Sequence, residues 1–143
     1  MKGRGLLDAY HFGVYARIRC NGLLLCVRKT RGPYQGLLDL PGGSPEPFES
    51  WHEALRRELR EELGVSSLSI GDFSRFAIHV DRSADGSVIN FHHHGAIANV
   101  RLGEDPPSDA RNSSDTAGWR WFNPQQDDLA TMSRLAAEVG LAD

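Results

Sequence analysis

The chain has 143 residues, of which 40% are hydrophobic and 24% are charged, and its net charge is −3. This length and composition are typical of one globular domain, so we predict a single domain over 1–143. The small negative charge argues against bulk binding to nucleic acid or to an anionic membrane surface. The longest apolar run, at 23–27, is far too short to span a membrane.

The two cysteines, Cys20 and Cys26, lie on either side of an Asn-Gly pair that is typical of a tight hairpin turn. In such a hairpin residue 20 pairs with residue 23, so the two thiols lie on opposite faces and cannot form a disulfide. The first twelve residues also lack the apolar core and cleavage site of a secretory signal. We therefore predict reduced cysteines and a cytoplasmic location.

Alternation of apolar and polar residues indicates several strands. The first hairpin has apolar residues at every second position, which predicts one buried face. In chain order the predicted strands are 10–20, 23–29, 37–40, 72–80, 88–100 and 118–122. Polar or Gly- and Pro-rich segments predict loops at 30–36, 41–47 and 103–116.

Local capping signals predict a helix over 50–63. Ser50 followed three residues later by Glu53 forms a capping box, and Gly64 is a favoured residue just past a helix end. Successive residues of a helix are about 100° apart, and this spacing gives the helix an apolar arc. The arc consists of Trp51, Leu55, Leu59 and Leu63. We expect this face to be buried.

A second helix is predicted near the C-terminus, with Asn123 as its cap and Pro124 at its first position. Its buried stripe would be formed by Leu129, Met132, Leu135 and Val139. Strands and two helices alternate irregularly along the chain. This order predicts an α/β fold in which a mixed sheet has helices on its faces.

Charged residues divide the first helix into two regions. The carboxylates of Glu58, Glu61 and Glu62 form one patch beside the apolar arc. The far side, predicted to face solvent, carries Glu53, Arg56, Arg57 and Arg60. Like charges at i and i+4, such as Glu58 and Glu62, repel each other. The patch is therefore either an ordinary solvated face or a site for a divalent cation, and geometry alone does not separate these interpretations.

The span 43–65 resembles a complete Nudix box. The pattern consists of Gly43, five residues, Glu49, seven residues and then RELREELGV at 57–65. At average residue usage the fixed positions would coincide by chance on the order of 10⁻⁹ times per starting position. This resemblance decides between the two interpretations in favour of a metal site.

The flanks of the box also resemble those of the Nudix family. LPGG at 40–43 is similar to the usual lead-in, and SDTAGWRWFNP at 114–124 is similar to the closing strand. Phe48 departs from the pattern, since many members have glycine before the glutamate, and Leu38 stands where an aromatic residue is frequent. These departures affect the expected shape of the loop and leave the predicted metal ligands unchanged.

Nudix hydrolases cleave a nucleoside diphosphate linked to another group and use Mg²⁺ or Mn²⁺. The resemblance therefore implies such a hydrolase, with the Nudix fold of an α/β/α sandwich around a central mixed sheet. The implied metal ligands are the carbonyl of Gly42 and the side chains of Glu58, Glu61 and Glu62, with Asp115 as the candidate for a further acid. Arg57 would hold Glu58 in position, and Glu49 would support Arg57 or bind a second metal. In part of the family the glutamate matching Glu58 is also the general base.

Two further groups of residues are weighed for function. Arg28, Lys29 and Arg31 lead into the loop before the box and are candidates for phosphate contact, although exposed cations at a hairpin end more often serve solubility. The histidines at 92–94 alternate in direction along a strand, so at most two of them can share a site. We predict that they pack or form hydrogen bonds within the chain.

The substrate is predicted by elimination. Members that cleave ADP-ribose usually carry a proline about fifteen residues beyond the box, where Val80 and Asp81 stand here. Members that cleave dinucleoside polyphosphates tend to carry a tyrosine there, and no tyrosine follows Tyr34. The prediction is thus a MutT-like enzyme, monomeric or homodimeric, that converts a nucleoside triphosphate to a nucleoside monophosphate and pyrophosphate.

The alternatives are a pyrophosphatase for ADP-ribose or nucleotide-sugars and a non-catalytic nucleotide-sensing module. A sensing module is expected to have lost the carboxylates of the box, yet all of them are present here. Isopentenyl diphosphate isomerase shares the fold but needs a cysteine beside its metal site. Cys20 and Cys26 lie in the first hairpin, ahead of the box, and do not suit that role.

Overall fold

The computed structural model describes residues 8–104, 106–108 and 116–142. One α-helix, α1 (Trp51–Leu63), divides the strands of this part of the chain into two groups. The strands before it are β1 (Asp8–Arg17), β2 (Arg19–Cys20), β3 (Leu23–Lys29), β4 (Leu38–Asp39) and β5 (Gly42–Gly43). Those after it are β6 (Leu68–Arg82), β7 (Val88–Leu102) and β8 (Thr116–Phe122). In the described ranges, no helix has the length and apolar character needed to cross a bilayer.

The strands form two sheets. The first has the order β5-β1-β7-β6, in which β1 and β7 are parallel and the other neighbours are antiparallel. The second is antiparallel, with β3 paired to β2, β4 and β8. The mixed sheet predicted from the sequence is thus confirmed.

The hairpin between β2 and β3 turns at Asn21 and Gly22, whose φ angles are 53° and 82°. Positive φ at both central residues is the requirement of a type I′ turn. Cys20 lies opposite Leu23, as predicted, and is exposed, whereas Cys26 is buried. Both cysteines are free, in agreement with the prediction.

Side chains that alternate along the strands build a core on each face. On β3, Leu25 and Val27 belong to one core, while Leu24 and Cys26 belong to the other. Helix α1 covers the first core with Ala54, Leu55, Leu59 and Leu63. The C-terminal segment covers the second core with Met132, Leu135 and Ala136. These two helical layers on opposite faces confirm the predicted α/β/α arrangement.

Helix α1 begins and ends as its sequence predicts. The Ser50 hydroxyl accepts the Glu53 N–H at 3.1 Å, and the Ser50 N–H donates to the Glu53 carboxylate at 2.8 Å. Gly64 ends the helix with a φ of 69° and donates its N–H to the Arg60 carbonyl. Reciprocal capping satisfies backbone donors that the first turn would otherwise leave free.

The predicted C-terminal helix is wrong in its start and in its continuity. Its expected start forms a turn, in which the Asn123 side chain accepts the Gln125 N–H and the Asp127 carboxylate accepts the Asn123 N–H. Short polar side chains of this kind compete with helical hydrogen bonds for the backbone. A 3₁₀ helix (Leu129–Thr131) and a π-helix (Ala136–Gly140) follow the turn.

This change alters the predicted buried stripe. Met132 and Leu135 are buried as expected, and Val139 is partly buried. Leu129 is 52% exposed, because it lies in the separate 3₁₀ turn. The strands β6 and β7 are also longer than predicted, at 15 residues each.

Candidate active site

Two glycines bring the loop before α1 close to both β1 and the helix. Gly42 and Gly43 pair with Tyr15 and Val14 of β1. A Cβ atom on Gly42, whose φ is 142°, would lie 2.1 Å from the Val14 carbonyl oxygen. On Gly43 it would lie 2.5 Å from Oε2 of Glu58. Gly42 therefore needs to be glycine because of the β1 backbone, whereas a side chain at Gly43 would displace the Glu58 carboxylate.

Arg57 joins this loop to the helix. Its Nε donates to Oε2 of Glu49 at 2.7 Å and its Nη2 to Oε1 at 2.9 Å, which is a bidentate pair. Nη2 also donates to the Ser44 carbonyl at 3.1 Å. These hydrogen bonds from Arg57 lower the pKa of Glu49 to about 2. The solvent-facing position predicted for Arg57 is wrong, because the loop folds over that side of the helix and leaves its side chain only 16% exposed.

The same arginine reaches the carboxylate patch. Its Nη1 lies 3.3 Å from Oε2 of Glu58 and 3.5 Å from Oε1 of Glu61. One cation thus contacts two of the three patch carboxylates and partly offsets their repulsion. This is the contact through which Arg57 would orient Glu58.

Glu62 is the buried member of the patch. Its side chain lies under the loop, where Oε1 accepts the Gly42 N–H at 2.9 Å. Burial raises the pKa of Glu62, and the nearby charge of Glu58 raises it further. The Gly42 N–H and the positive charge of Lys29 oppose this rise. The predicted role of the Gly42 carbonyl as a ligand stays a prediction, whereas its amide has a clear partner.

Comparison with known proteins identifies the family. The family model of the NUDIX domain matches residues 9–139. The chain belongs to the NUDIX family. The NUDIX box, residues 43–65, consists mainly of α1 and of the loop that folds against it.

Curated relatives match parts of this NUDIX chain. The CTP pyrophosphohydrolase of Escherichia coli (strain K12) is 40% identical over 70 residues, or 49% of each chain. The nucleoside triphosphatase NudI of Enterobacter sp. (strain 638) is 53% identical over 49 residues, or 33% of this chain and 35% of the relative. The chain thus spans half or less of the length of these relatives.

A solved structure agrees over most of the chain. The MutT NUDIX hydrolase from Burkholderia pseudomallei has a TM-score of 0.61 and 24% identity. The match covers 92% of this chain and 98% of that one. At this identity the match shows a shared NUDIX fold.

The residues of the NUDIX box fit a divalent cation. Glu58, Glu61 and Glu62 offer hard oxygen donors from adjacent turns of one helix, and burial disfavours the charge on one of them. Among the described residues no three acidic, histidine or cysteine side chains already converge on one point. Glu58 and Glu61 contact Arg57 instead, and Glu62 contacts Gly42. Asp115, predicted as a further ligand, lies outside the described residues.

The basic residues ahead of the box differ in their relation to it. Arg28 is exposed and donates to the Gly36 carbonyl at 2.9 Å, and Arg31 is also exposed. Lys29 is partly buried, and its positive charge lowers the pKa of Glu62. Of these three candidates for phosphate contact, Lys29 is the one whose charge acts on the carboxylate patch.

One histidine of the 92–94 triplet is buried against aromatic residues of the second core. His93 is 1% exposed, and its Nε2 and Nδ1 lie 2.9 Å and 2.8 Å from the hydroxyls of Tyr15 and Tyr34. Burial lowers the pKa of His93 to about 3, assisted by the charges of nearby cationic groups. His92 stacks on Tyr10 with 4.4 Å between ring centroids. The predicted packing and hydrogen bonding of this triplet are confirmed.

Asp39 is a buried acidic residue that the sequence analysis missed. Its carboxylate accepts the Ser133 hydroxyl at 2.6 Å, which links β4 to the C-terminal layer. Burial raises the pKa of Asp39, and the Ser133 hydrogen bond opposes that rise. A lone acidic residue inside the apolar LLDL segment was the signal that could have revealed it.

Proposed function

We propose that the chain is a metal-dependent pyrophosphohydrolase that cleaves a nucleoside diphosphate linked to another group. A nucleoside triphosphate is the leading substrate, with a nucleoside monophosphate and pyrophosphate as products. The observation that carries the proposal is the patch of Glu58, Glu61 and Glu62, which is fixed at one end by Arg57 and at the other by Gly42.

Each side chain of the site has its own role in the proposed reaction. Glu58, Glu61 and Glu62 hold Mg²⁺ or Mn²⁺, which neutralises phosphate charge and activates water when bound. Arg57 fixes the direction of the Glu58 carboxylate, and Glu49 in turn fixes Arg57 through two hydrogen bonds. Lys29 supplies positive charge for an incoming phosphate. Positioning and electrostatics of this kind account for most of the catalysis of phosphoryl transfer.

Glu58 is the proposed general base. Its Oε2 lies against Gly43 and contacts Arg57, so the carboxylate has a defined direction. A carboxylate held within reach of a water molecule can accept a proton as that water attacks phosphorus. Glu49 is the less suitable base, because its pKa of about 2 makes it a weak proton acceptor.

The names of the relatives support a nucleoside triphosphate as substrate. One is a CTP pyrophosphohydrolase and the other a nucleoside triphosphatase, and both match this chain in part. These names favour a nucleoside triphosphate over ADP-ribose or a nucleotide-sugar. A cytoplasmic location, where such nucleotides are abundant, stays a prediction.

A panel of nucleoside triphosphates, ADP-ribose and nucleotide-sugars, assayed with Mg²⁺ and with Mn²⁺, tests the proposal. We expect the highest kcat/KM with a nucleoside triphosphate and complete loss of turnover when a chelator is added. Glu61→Gln removes one proposed ligand and is expected to lower kcat at least about a hundredfold. Glu53→Gln is the matched control on the same helix, since glutamine also serves in a capping box.

Three results would contradict parts of the proposal. Absence of metal-dependent turnover across the panel, combined with nucleotide binding, would favour the non-catalytic sensing module. Preference for ADP-ribose or a nucleotide-sugar would overturn the substrate while leaving the reaction class intact. Equal activity of Glu61→Gln and Glu53→Gln would overturn the assignment of Glu61 as a ligand.

A further inference from the structure

Phe48 occupies a turn position that normally takes glycine. The turn spans 46–49 and is closed by a hydrogen bond of 3.0 Å from the Glu49 N–H to the Glu46 carbonyl. Pro47 is its second residue, and Phe48, with a φ of 69°, is its third. This is the pattern of a type II turn, whose third residue is usually glycine or asparagine because φ is positive. A phenylalanine side chain makes this conformation unfavourable.

The solvent exposure of Phe48 is also unfavourable. Phe48 has a relative accessible area of 105%, so its ring is fully in water. A large aromatic ring gains its folding energy from burial, and this one gains none. Glycine would suit both the backbone and the solvent better. Neither the fold nor the turn therefore explains why a phenylalanine stands here.

The turn is connected to the candidate active site through Arg57. Both of its ends contact Arg57: the Glu49 carboxylate at 2.7 Å and the Glu46 carboxylate at 3.8 Å. Arg57 in turn lies within 3.3 Å and 3.5 Å of Glu58 and Glu61. The tip of the turn is thus tied, through one arginine, to the residues that would hold the metal and the phosphates.

We propose that Phe48 is a substrate-binding residue whose ring stacks on the nucleobase of the substrate. The inference rests on the proposed function, because it assumes that the phosphates of a nucleotide lie at the Glu58, Glu61 and Glu62 patch. A nucleobase is a planar ring attached to those phosphates, and stacking on an exposed aromatic side chain is a common way to bind one. Stacking needs no base-specific hydrogen bond, so Phe48 accepts several bases.

The surroundings of Phe48 favour a nucleobase over a protein partner. Its turn carries Glu46 and Glu49, and Ser50 follows. Cores of protein interfaces are depleted of glutamate and serine and present several apolar side chains together. A single ring among acidic residues beside a proposed phosphate site fits a small planar ligand better.

Binding experiments with matched ligands and variants test this role. The ligands are a nucleoside triphosphate with a methylene bridge between its α and β phosphorus atoms, and inorganic tripolyphosphate, which has no base. Both are titrated calorimetrically in the presence of Mg²⁺. Phe48→Gly and Phe48→Asn remove the ring and accept a positive φ, whereas Phe48→Tyr keeps the ring.

We expect Phe48→Gly and Phe48→Asn to weaken nucleotide binding about tenfold, with less than a twofold change for tripolyphosphate. Phe48→Tyr should bind the nucleotide as the parent chain does. Because glycine suits the turn, Phe48→Gly should also raise Tm by a few degrees.

Four outcomes would overturn the inference. Equal losses of affinity for both ligands would mean that Phe48 shapes the loop that contacts Arg57. No loss of affinity for either ligand would mean that the ring does not contribute to binding. A lower Tm in Phe48→Gly would mean that the ring is packed. If the parent chain sediments as a dimer and Phe48→Gly as a monomer, the ring belongs to a dimer interface.

This test separates the inference from the proposed function. Base-dependent binding through Phe48 without any turnover would leave the stacking role standing while the hydrolase assignment falls. Metal-dependent turnover in which the ring variants bind nucleotide normally would do the reverse.

Discussion

The backbone N–H of Gly42 donates a hydrogen bond of 2.9 Å to the carboxylate of Glu62, although 20 residues separate them in the chain. This bond ties β5 to the last turn of α1. It also fixes the direction of a buried carboxylate that the nearby charge of Glu58 repels. The position of the glycine thus decides where one of the proposed metal ligands lies.

Gly42→Ala is expected to lose both stability and activity. The new Cβ would meet the Val14 carbonyl oxygen at 2.1 Å, and the φ of 142° disfavours any side chain. We expect the free energy of unfolding in urea to fall by roughly 2–4 kcal/mol and turnover to fall at least about a hundredfold. Gly36→Ala is the control, because Gly36 has a φ of 86° with open space around it. Equal stability of the two variants would contradict the steric argument.

Arg57→Lys is expected to lower activity without unfolding the protein. Lysine keeps the charge but cannot form the paired hydrogen bonds to Glu49 while also contacting Glu58. We expect kcat to fall at least about tenfold, with far-ultraviolet circular dichroism unchanged. Arg56→Lys, at the exposed neighbouring position, should retain full activity. If both variants behave alike, the orientation of Glu58 does not depend on the guanidinium group.

Glu62→Gln is expected to separate stability from metal binding. Glutamine still accepts the Gly42 N–H but removes a charge that burial and Glu58 disfavour. Without metal, its Tm should equal or exceed that of the parent chain. Added Mg²⁺ should raise Tm in the parent and in Glu53→Gln, and much less in Glu62→Gln. A metal-free Glu62→Gln protein that is clearly less stable would show that the carboxylate charge helps the fold.

His93 is expected to make stability depend on pH. Its pKa is lowered from an ordinary 6.5 to about 3, so the unfolded chain binds a proton more readily than the folded one. The resulting stability is fully present above pH 6.5 and is lost as the pH falls from 6.5 towards 3. Urea unfolding at several pH values measures this loss, which should reach a few kcal/mol at the acidic end.

The variant His93→Gln separates the contribution of His93 to the pH dependence of stability from the contribution of the acidic groups. The variant should be less stable than the parent chain at pH 7, because two buried tyrosine hydroxyls lose their imidazole partner. The difference between parent and variant should shrink as the pH falls below 6.5. The exposed His52, changed to glutamine, is the control. A difference that stays constant with pH would mean that His93 has the same pKa in the folded and unfolded states.

Local signals predict the elements whose ends depend on nearby residues. Ser50, Glu53 and Gly64 define α1 correctly, because each capping hydrogen bond joins residues three or four positions apart. The Asn-Gly turn at 21–22 sets the register of the first hairpin for the same reason. The grouping of Glu58, Glu61 and Glu62 also follows from helical spacing alone.

Tertiary contacts explain what the sequence did not predict. Helical projection places Arg57 in solvent, since it has no information about the loop that carries Ser44 and Glu49 over the helix. The C-terminal segment has a helical pattern of apolar residues, but Asn123 and Asp127 bind the backbone and break it. Partners 78 and 94 residues away, as in the Tyr15–His93 and Asp39–Ser133 pairs, lie beyond any local pattern.

The hydroxyls on either side of His93 impose an order on the hydrogens of that core. A neutral imidazole carries one hydrogen, so one of its ring nitrogens donates to a tyrosine hydroxyl and the other accepts from one. Tyr15 and Tyr34 therefore take opposite roles at the ring, and the tautomer of His93 sets which of them donates. A change of tautomer would require both hydroxyl hydrogens to turn with it.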